Sequence, residues 1–492
     1  MPDPRTLADA TPLSDRPPGH RDTGTPGHRA AGPPETGAGR PPGQGPTEAE
    51  ENAVPPVSTA ASQAGMRRRN LSLVLHAVAG HGEISRAAVA AEVGLTRAAV
   101  STLVEELLSL GLLAEAGLTR PGTVGRPGTA LVLSDRGPAG LGAEVGVDHL
   151  AACVVDLRGK VRASAYAEAP NRDHPPERVL ADLAGLVVRA AREGAAAGLR
   201  PVGITVAVPG LVGRDPGIVE RASNLGWEQV PAGPLLTAAL ADAEPPAGTP
   251  ADDPSHAPSA GPPSSAGRLS GLPIGLDNEA NLGALAELWL GGHDRDLRHF
   301  LHVSAEIGIG AALVVEGRLF RGAHGHAGEL GHVPVRPAGP ACPCGARGCL
   351  EQYAGEEAVL RAAGLDPARA AAEHPGPGGR VRLLAERAGT DPAVRRALHQ
   401  AGSALGLALS GAVNVFDPQK VVLGGGLAEL SPWLLPGIES ELRRRVTDRH
   451  WPDGAVAVSS VGREGPLLGA ANSVVRSVLD DPTSVRPREN PS

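Results

Sequence analysis

The sequence predicts an α/β protein in two parts: a small helical block that ends in extended strands, then a larger region of sheets covered by helices. Three observations carry that expectation. Residues 66–136 show helical and then short extended patterning. Beyond Leu141, β-like apolar runs alternate with helical ones, the order that builds a sheet with helices on its faces. The chain's 492 residues are enough for two or three domains with substantial cores.

Residues 1–63 come first. Pro, Gly, Thr and Ala dominate there, with scattered charges and no apolar periodicity. Such a segment cannot bury enough apolar surface to offset its ordering entropy, and it is expected to be disordered. The next segment, 64–136, carries paired helix starts. Ser85 stands at an N-cap position with Ile84 and Val89 spaced for a hydrophobic staple, and Thr96 repeats the device with Leu95 and Val100. Gly94 lies between the two helices, where a tight turn needs a residue tolerant of positive φ. Val100, Leu103, Val104 and Leu107 form an i, i+3, i+4, i+7 stripe that must face a core. Arg97, Ala98, Ser101 and Thr102 occupy the other side.

Those are the parts of a helix-turn-helix whose second helix exposes its polar start. After it, Gly117 to Gly128 and the apolar run Ala130–Leu133 predict a β-hairpin wing with Arg126 near the tip. An arginine there is suited to a minor groove. Thr96, Arg97, Ala98, Ser101, Thr102 and Arg126 are the candidate contacts to double-stranded DNA. Residues 66–136 hold eight Arg against six Asp plus Glu, inside a chain of net charge −8. That local excess is small, so the affinity is expected to come from a dimer or tetramer on paired half-sites. The alternative is a protein-interaction module whose polar face is merely solvated.

In the larger region, Ala152–Leu157, Val202–Val208, Ile274–Leu276, Phe300–Ser304, Ala311–Val315 and Lys420–Leu423 read as strands. Ala181–Glu193, Asn278–Leu290, Val394–Val415 and Pro432–Arg445 read as helices. A Pro-, Ser- and Ala-rich run over about 242–270 interrupts this pattern and predicts a surface insertion, which loop-closure entropy tolerates. The expected units are 140–292 and 293–479, with a frayed tail over 480–492.

Three of the chain's four cysteines fall in Cys342-Pro-Cys344 and Cys349, with His332 ten residues upstream. Three thiolates and an imidazole are the donor set of a closed structural Zn²⁺ site. The alternatives are incidental thiols or a disulfide beside a core histidine. Cys153 lies in an apolar run and predicts a buried core thiol. Cysteine usage fits a reducing cytoplasm. The sequence shows no basic-then-apolar start and no run of roughly 20 apolar residues, so neither a secretory signal nor a membrane span is expected.

Taken together, the sequence resembles the ROK family (repressors, open reading frames and sugar kinases), and within it the transcriptional regulators. The resemblance runs from Met66 to about Leu479. It rests on Arg321-Gly through Ala327-Gly-Glu329-Leu-Gly-His332, on the cysteine motif ending at Glu351, and on Val208-Pro-Gly210, Ser223-Asn224, Asn278-Glu279-Ala-Asn281 and Leu423-Gly-Gly-Gly426. It implies a two-lobed actin/hexokinase-like domain behind the winged helix-turn-helix. It also implies zinc on His332, Cys342, Cys344 and Cys349. Asn278, Glu279, Glu329, His332 and Glu351, with Gly210, Ser223 and Asn224, would lie near a sugar effector.

Against the family's kinases three stretches differ. Their Asp-x-Gly-Gly-Thr phosphate loop reads Glu144-Val-Gly146-Val147-Asp148 here, which places a carboxylate where phosphate would approach. The second loop, Gly-Thr-Gly-x-Gly, reads Ala305-Glu306-Ile-Gly308-Ile-Gly310. The catalytic Asp becomes Glu279, and roughly 1 Å of displacement can cost about a hundredfold in rate. These departures predict a cytoplasmic, sugar-responsive regulator, a repressor of carbohydrate genes that does not phosphorylate its sugar. The alternatives are an ATP-dependent sugar kinase with an auxiliary DNA-binding head and a zinc-dependent interaction protein.

Overall fold

The computed structural model describes residues 62–119, 128–172, 174–213, 217–244, 268–293, 296–447, 451–452 and 454–485. The segment 1–61, the wing tip with Arg126, the insertion over 245–267 and the end from 486 lie outside the described residues.

Three helices open the head: α1 (Gln63–His81), α2 (Arg86–Val93) and α3 (Arg97–Ser109). Both expected caps form. The Ser85 hydroxyl accepts from the Ala88 amide at 3.3 Å, and that of Thr96 from Ala99 at 3.2 Å. Gly94 takes φ 69°, the left-handed turn conformation between α2 and α3. Val100, Leu103, Val104 and Leu107 are buried, while Thr96, Arg97, Ala98, Ser101 and Thr102 are exposed. Strands β1 (Ile84–Ser85), β2 (Leu113–Thr119) and β3 (Gly128–Leu133) form an antiparallel sheet in the order β1-β3-β2. This is a winged helix-turn-helix.

The body holds two sheets of one topology. In the first, β4 (Gly137–Val145), β5 (His149–Val155) and β6 (Val161–Glu168) make an antiparallel meander. Beside β4 lies the parallel strand β7 (Leu199–Val208). The short strands β8 (Leu211–Val212), β9 (Val219–Ala222) and β10 (Trp227–Val230) form a separate small sheet. Parallel β11 (Ile274–Asn278) then completes the first sheet as β6-β5-β4-β7-β11. The second sheet repeats the plan with β12 (Phe300–Ala305), β13 (Ile309–Val315), β14 (Arg318–Phe320), β15 (Lys420–Gly424) and β16 (Val456–Val458), in the order β14-β13-β12-β15-β16. Helices α4 (Pro176–Ala196) and α5 (Ala232–Ala243) cover the first sheet, and α6 (Glu279–Leu290) follows β11 directly. On the second, Pro392–Phe416 packs against Ser431–Arg445. This is the two-lobed α/β architecture expected.

All six expected strands and four expected helices form, but β4, β6 and the helix Gly465–Asp480 were not anticipated. Strand β4 is glycine-rich, which masks its β character. Its glycines answer to a neighbour: a Cβ on Gly140 would lie 2.1 Å from the Ala471 carbonyl oxygen, and one on Gly142 2.5 Å from that of Leu467. The C-terminal helix Gly465–Asp480 thus lies directly on the first sheet. That corrects the division into 140–292 and 293–479, because the chain returns from the second lobe to the first.

Two further boundaries change. The tail is not frayed from Asp480: Pro482–Ser484 make a 3-10 turn capped by the Asp481 side chain, and Val485 is 3 % exposed. Residues 242 and 243 still belong to α5, and the Glu244 carboxylate accepts from the Leu269 amide at 2.5 Å and from the Ser270 hydroxyl at 3.0 Å. One side chain therefore ties both ends of the insertion together.

Head and body share an apolar core. Leu71, Val74, Val78 and Val104 of the head cluster with Cys153, Val155, Val475 and Leu479 of the body. Cys153 is a buried core thiol as expected. Around this core, His76 Nε2 lies 2.7 Å from the Asp480 carboxylate, and Arg158 donates to the Leu133 carbonyl at 2.7 Å.

Candidate functional site

The Cys-rich loop folds back on itself. The Cys342 amide donates to the Ala346 carbonyl at 2.9 Å, and the Gly348 amide to Pro340 at 2.8 Å. A bridge between Pro334 and Cys349 anchors the loop to the chain following the short turn Leu330–His332. His332, Cys342, Cys344 and Cys349 converge, each offering one ligand atom within 4.8 Å of the others. Cys342 Sγ lies 3.7 Å from His332 Nδ1, and Cys344 Sγ lies 3.7 Å from Cys349 Sγ. A disulfide at about 2.0 Å is excluded by that separation. A small ion held by thiolates at about 2.3 Å in a tetrahedron spaces its donors by about 3.8 Å. The four groups fit such an ion. His332 presents Nδ1 to the cluster, leaving Nε2 toward Glu329, 3.8 Å away.

A cleft runs between the two sheets. Its walls include the β4–β5 turn (Gly146, Val147, Asp148), the β12–β13 turn (Glu306, Ile307, Gly308), Asn224 and Glu279. The shared topology explains the meeting, since each turn closes the first hairpin of its own sheet. Burial, and then the charge of Glu144, push the Glu279 carboxyl up to about 7. Glu351 reaches the same turn from its helix, Glu351–Ala354, and accepts from the Ile309 amide at 3.3 Å. A Cβ on Gly308 would sit 2.6 Å from that carboxylate and 3.4 Å from Asn224 Nδ2. Asn224, Glu279 and Glu351 therefore surround one space, with the Glu329–His332 pair on the metal loop.

The other candidates have different tasks. Asn278 caps α6, its Oδ1 accepting from Ala280 at 2.8 Å and Asn281 at 3.3 Å while its Nδ2 donates to the Gly210 carbonyl at 2.7 Å. Its amide is mostly occupied with holding Glu279 in position rather than facing the cleft. Gly210 serves as that acceptor, and Ser223 is exposed in the turn between β9 and β10.

Sequence reasoning missed four residues. His149 packs against Gly146, where a Cβ would lie 2.1 Å from its ring. Its Nδ1 lies 3.0 Å from Asp148 and its Nε2 3.5 Å from Glu144. Burial works against the imidazolium, but hydrogen bonds to Asp148 and then Glu144 outweigh it and push the pKa up to about 10. Asn171 pins this turn, donating to the Gly146 carbonyl at 2.8 Å and the His149 carbonyl at 2.9 Å. On the opposite wall Arg463 bonds both Glu306 and Glu429. Even so, burial first pushes Glu306 up to about 8, with Glu279 and Glu144 adding to the rise. Finally, Arg321 grips Asp277 with two bonds, at 3.0 and 2.6 Å, and so ties the metal-side loop to the end of β11. Arg321 stood in the motif but its partner did not. Glu144 and Asp148 pointed to a charge needing compensation, and His149 directly follows them.

Residues 267–476 match the ROK family. A ROK hexokinase from Thermus thermophilus is 30% identical, with a TM-score of 0.50 over 70% of this chain and 99% of the hexokinase. The chain belongs to the ROK family. Among ROK proteins, the xylose repressor of Bacillus subtilis is 27% identical over 423 residues, 85% of this chain and 98% of the repressor. A solved ROK transcriptional regulator, a homologue of the E. coli MLC protein, is 25% identical with a TM-score of 0.64, covering 84% of this chain and 97% of that one. A likeness over 84% of the chain is too long to be confined to residues 137–485, whereas the hexokinase's 70% is not. The ROK regulators therefore share more than the body.

Proposed function

We propose that this ROK protein is a sugar-responsive, DNA-binding transcriptional regulator of the repressor type, acting in the cytoplasm as a homodimer or homotetramer, and that it does not phosphorylate its sugar. One observation carries the last clause: the nucleotide side of the cleft is closed by the chain's own side chains. His149 covers Gly146 between Glu144 and Asp148, and Glu306 opposes it under Arg463. A triphosphate would have to displace a buried imidazolium and then face three carboxylates. The regulator-length likeness and the exposed start of α3 support the DNA-binding role. No single helix among the described residues is long and apolar enough to cross a membrane.

Asn224, Glu279, Glu329, His332 and Glu351 are the residues proposed to meet the sugar. Carboxylates accept from its hydroxyls and amides bridge them, a pattern that discriminates strongly between ligands. Zinc is the ion proposed for the four-donor cluster; bound there, it would hold His332 and the loop reaching Glu351 in fixed positions. The chain itself offers a route from cleft to head. Gly465, at the start of the C-terminal helix, lies beside Gly283 of α6, and the far end of that helix enters the head's core. A sugar that favours one arrangement of the lobes biases the head only by its differential affinity for the two arrangements.

Footprinting on the protein's own promoter region, with and without a panel of sugars, tests the proposal. Protection that one sugar relieves is expected, and no protection under any condition defeats it. The second reading is an ATP-dependent sugar kinase, favoured by the hexokinase likeness and by a carboxylate at Glu279. A coupled ATP assay separates the two, since turnover abolished by Glu279→Ala supports the kinase.

A further inference from the structure

We infer that the effector of this cleft is an uncharged sugar, and that the site rejects the same sugar carrying a phosphate. This deepens the sensor reading and rests on it. The cleft is lined by five carboxylates, Glu144, Asp148, Glu279, Glu306 and Glu356, against one imidazole, His149, and one guanidinium, Arg380. Neither cation is available. His149 lies between Glu144 and Asp148. Arg380 bonds Glu356 and lies in a side chain only 14% exposed. Arg463, behind Glu306, is likewise shared between Glu306 and Glu429.

Glu279 is the contrast. Its carboxylate has no hydrogen-bond or ion-pair partner among the described residues, and it stands at the start of α6 where Asn224 and Gly308 bound the same space. A sugar hydroxyl donating to Glu279 completes it. A phosphate ester on that hydroxyl would instead set a dianion against Glu279, Glu144 and Glu306 with every nearby cation already neutralised. The carboxyls already repel one another: burial and like charges push Glu279 up to about 7 and Glu306 up to about 8. A site that resists its own ionisation resists an added phosphate more, which is selection against a competitor by repulsion. Backbone amides do not rescue it. The Ile309 amide at the turn already donates to Glu351, and the Gly146 amide to the His149 carbonyl.

Isothermal titration of the full chain tests this with matched pairs: glucose, mannose and N-acetylglucosamine against their 6-phosphates, and xylose against its 5-phosphate. At least one neutral sugar is expected to bind, with its phosphate about a hundredfold weaker or worse, the scale of an unpaired charge in a buried site. A phosphorylated member that binds as tightly as its parent overturns the inference and leaves the sensor reading intact. If no member of any pair binds, both fall together. A second variant guards against indirect effects: Glu306→Gln should narrow the gap within a pair by raising affinity for the phosphate while the neutral sugar changes little. An unchanged gap would place the selection elsewhere and count against the charge argument.

Discussion

The two sides of the cleft use charge in opposite ways. On the nucleotide side each charged group answers another of the same chain: His149 with Glu144 and Asp148, Arg463 with Glu306 and Glu429, Arg380 with Glu356. On the sugar side Glu279 stands without a partner and His332 directs one nitrogen to the metal cluster and the other toward Glu329. A polar group that has found its partner is structure; one held in place without a partner is available to a ligand. Both sides grow from the same hairpin position of two matching sheets, so the difference comes from side chains, not from topology.

The largest break of that contrast comes from the metal loop. Structural zinc contributes roughly 10 kcal/mol or more to the fold it organises. Cys344→Ser is expected to take bound zinc, measured by atomic emission, from one per chain to none, and to abolish the sugar-dependent thermal shift. Operator binding should survive, because the head has a core of its own with the C-terminal helix. A variant that lost zinc yet kept its full sugar response would remove the scaffold role assigned to the loop.

His149→Ala attacks the other side. It leaves Glu144 and Asp148 without their counter-charge in a largely buried turn, a change expected to cost about 3 kcal/mol in urea unfolding. Neither ATP binding nor turnover should appear, since the carboxylates remain. Tight ATP binding by this variant would show that the imidazole alone excluded nucleotide.

That two-sided division was only half legible in the sequence. The metal donors, the two helix caps, the buried stripe of α3 and the hairpin wing could all be read because each is local: spacing within one or two turns fixes it. The carboxylates at Glu144, Asp148 and Glu306 were legible as obstacles to phosphate. Their partners were not, because Arg463 lies 157 residues from Glu306 and no short-range pattern links them. Strand β4 was missed for a similar reason, its glycines being set by a helix more than 300 residues away. Asn278 was placed near the sugar when the backbone needed it as a cap.

The pH dependence of stability separates the same groups more gently. Glu279 rises from 4.5 to about 7 and Glu306 to about 8. His149 rises from 6.5 to about 10. All three bind protons more tightly in the folded state, so stability falls as pH rises. For the carboxyls the loss begins above pH 4.5 and is complete past their folded values. The His149 contribution is full below pH 6.5 and disappears as pH passes 10. Unfolding midpoints should therefore decline from pH 5 to pH 10. Glu279→Gln should flatten mainly the part below pH 8, and His149→Gln the part above it. A wild-type profile that rises over this range would contradict the reading of the cleft as a crowded acid site.

The smallest effect belongs to the head, and it tests whether α3 is a recognition helix at all. The Thr96 hydroxyl accepts from the Ala99 amide, and removing an N-cap of this kind costs about 1 kcal/mol. Thr96→Ala should lower stability by that amount and fray the first turn, where Arg97 and Ala98 are displayed. Arg97→Ala touches no cap and no core, so it should leave the unfolding midpoint unchanged. It should nevertheless weaken operator binding, and if Arg97 meets a phosphate the slope of log affinity against log salt should fall by about one. Comparing the two variants by fluorescence anisotropy across a salt series separates a helix that must be well formed from a charge that must be present. An Arg97→Ala protein that binds the operator as the parent does, with the same salt slope, would move the DNA contact away from α3 and leave the exposed helix face as a surface for some other partner.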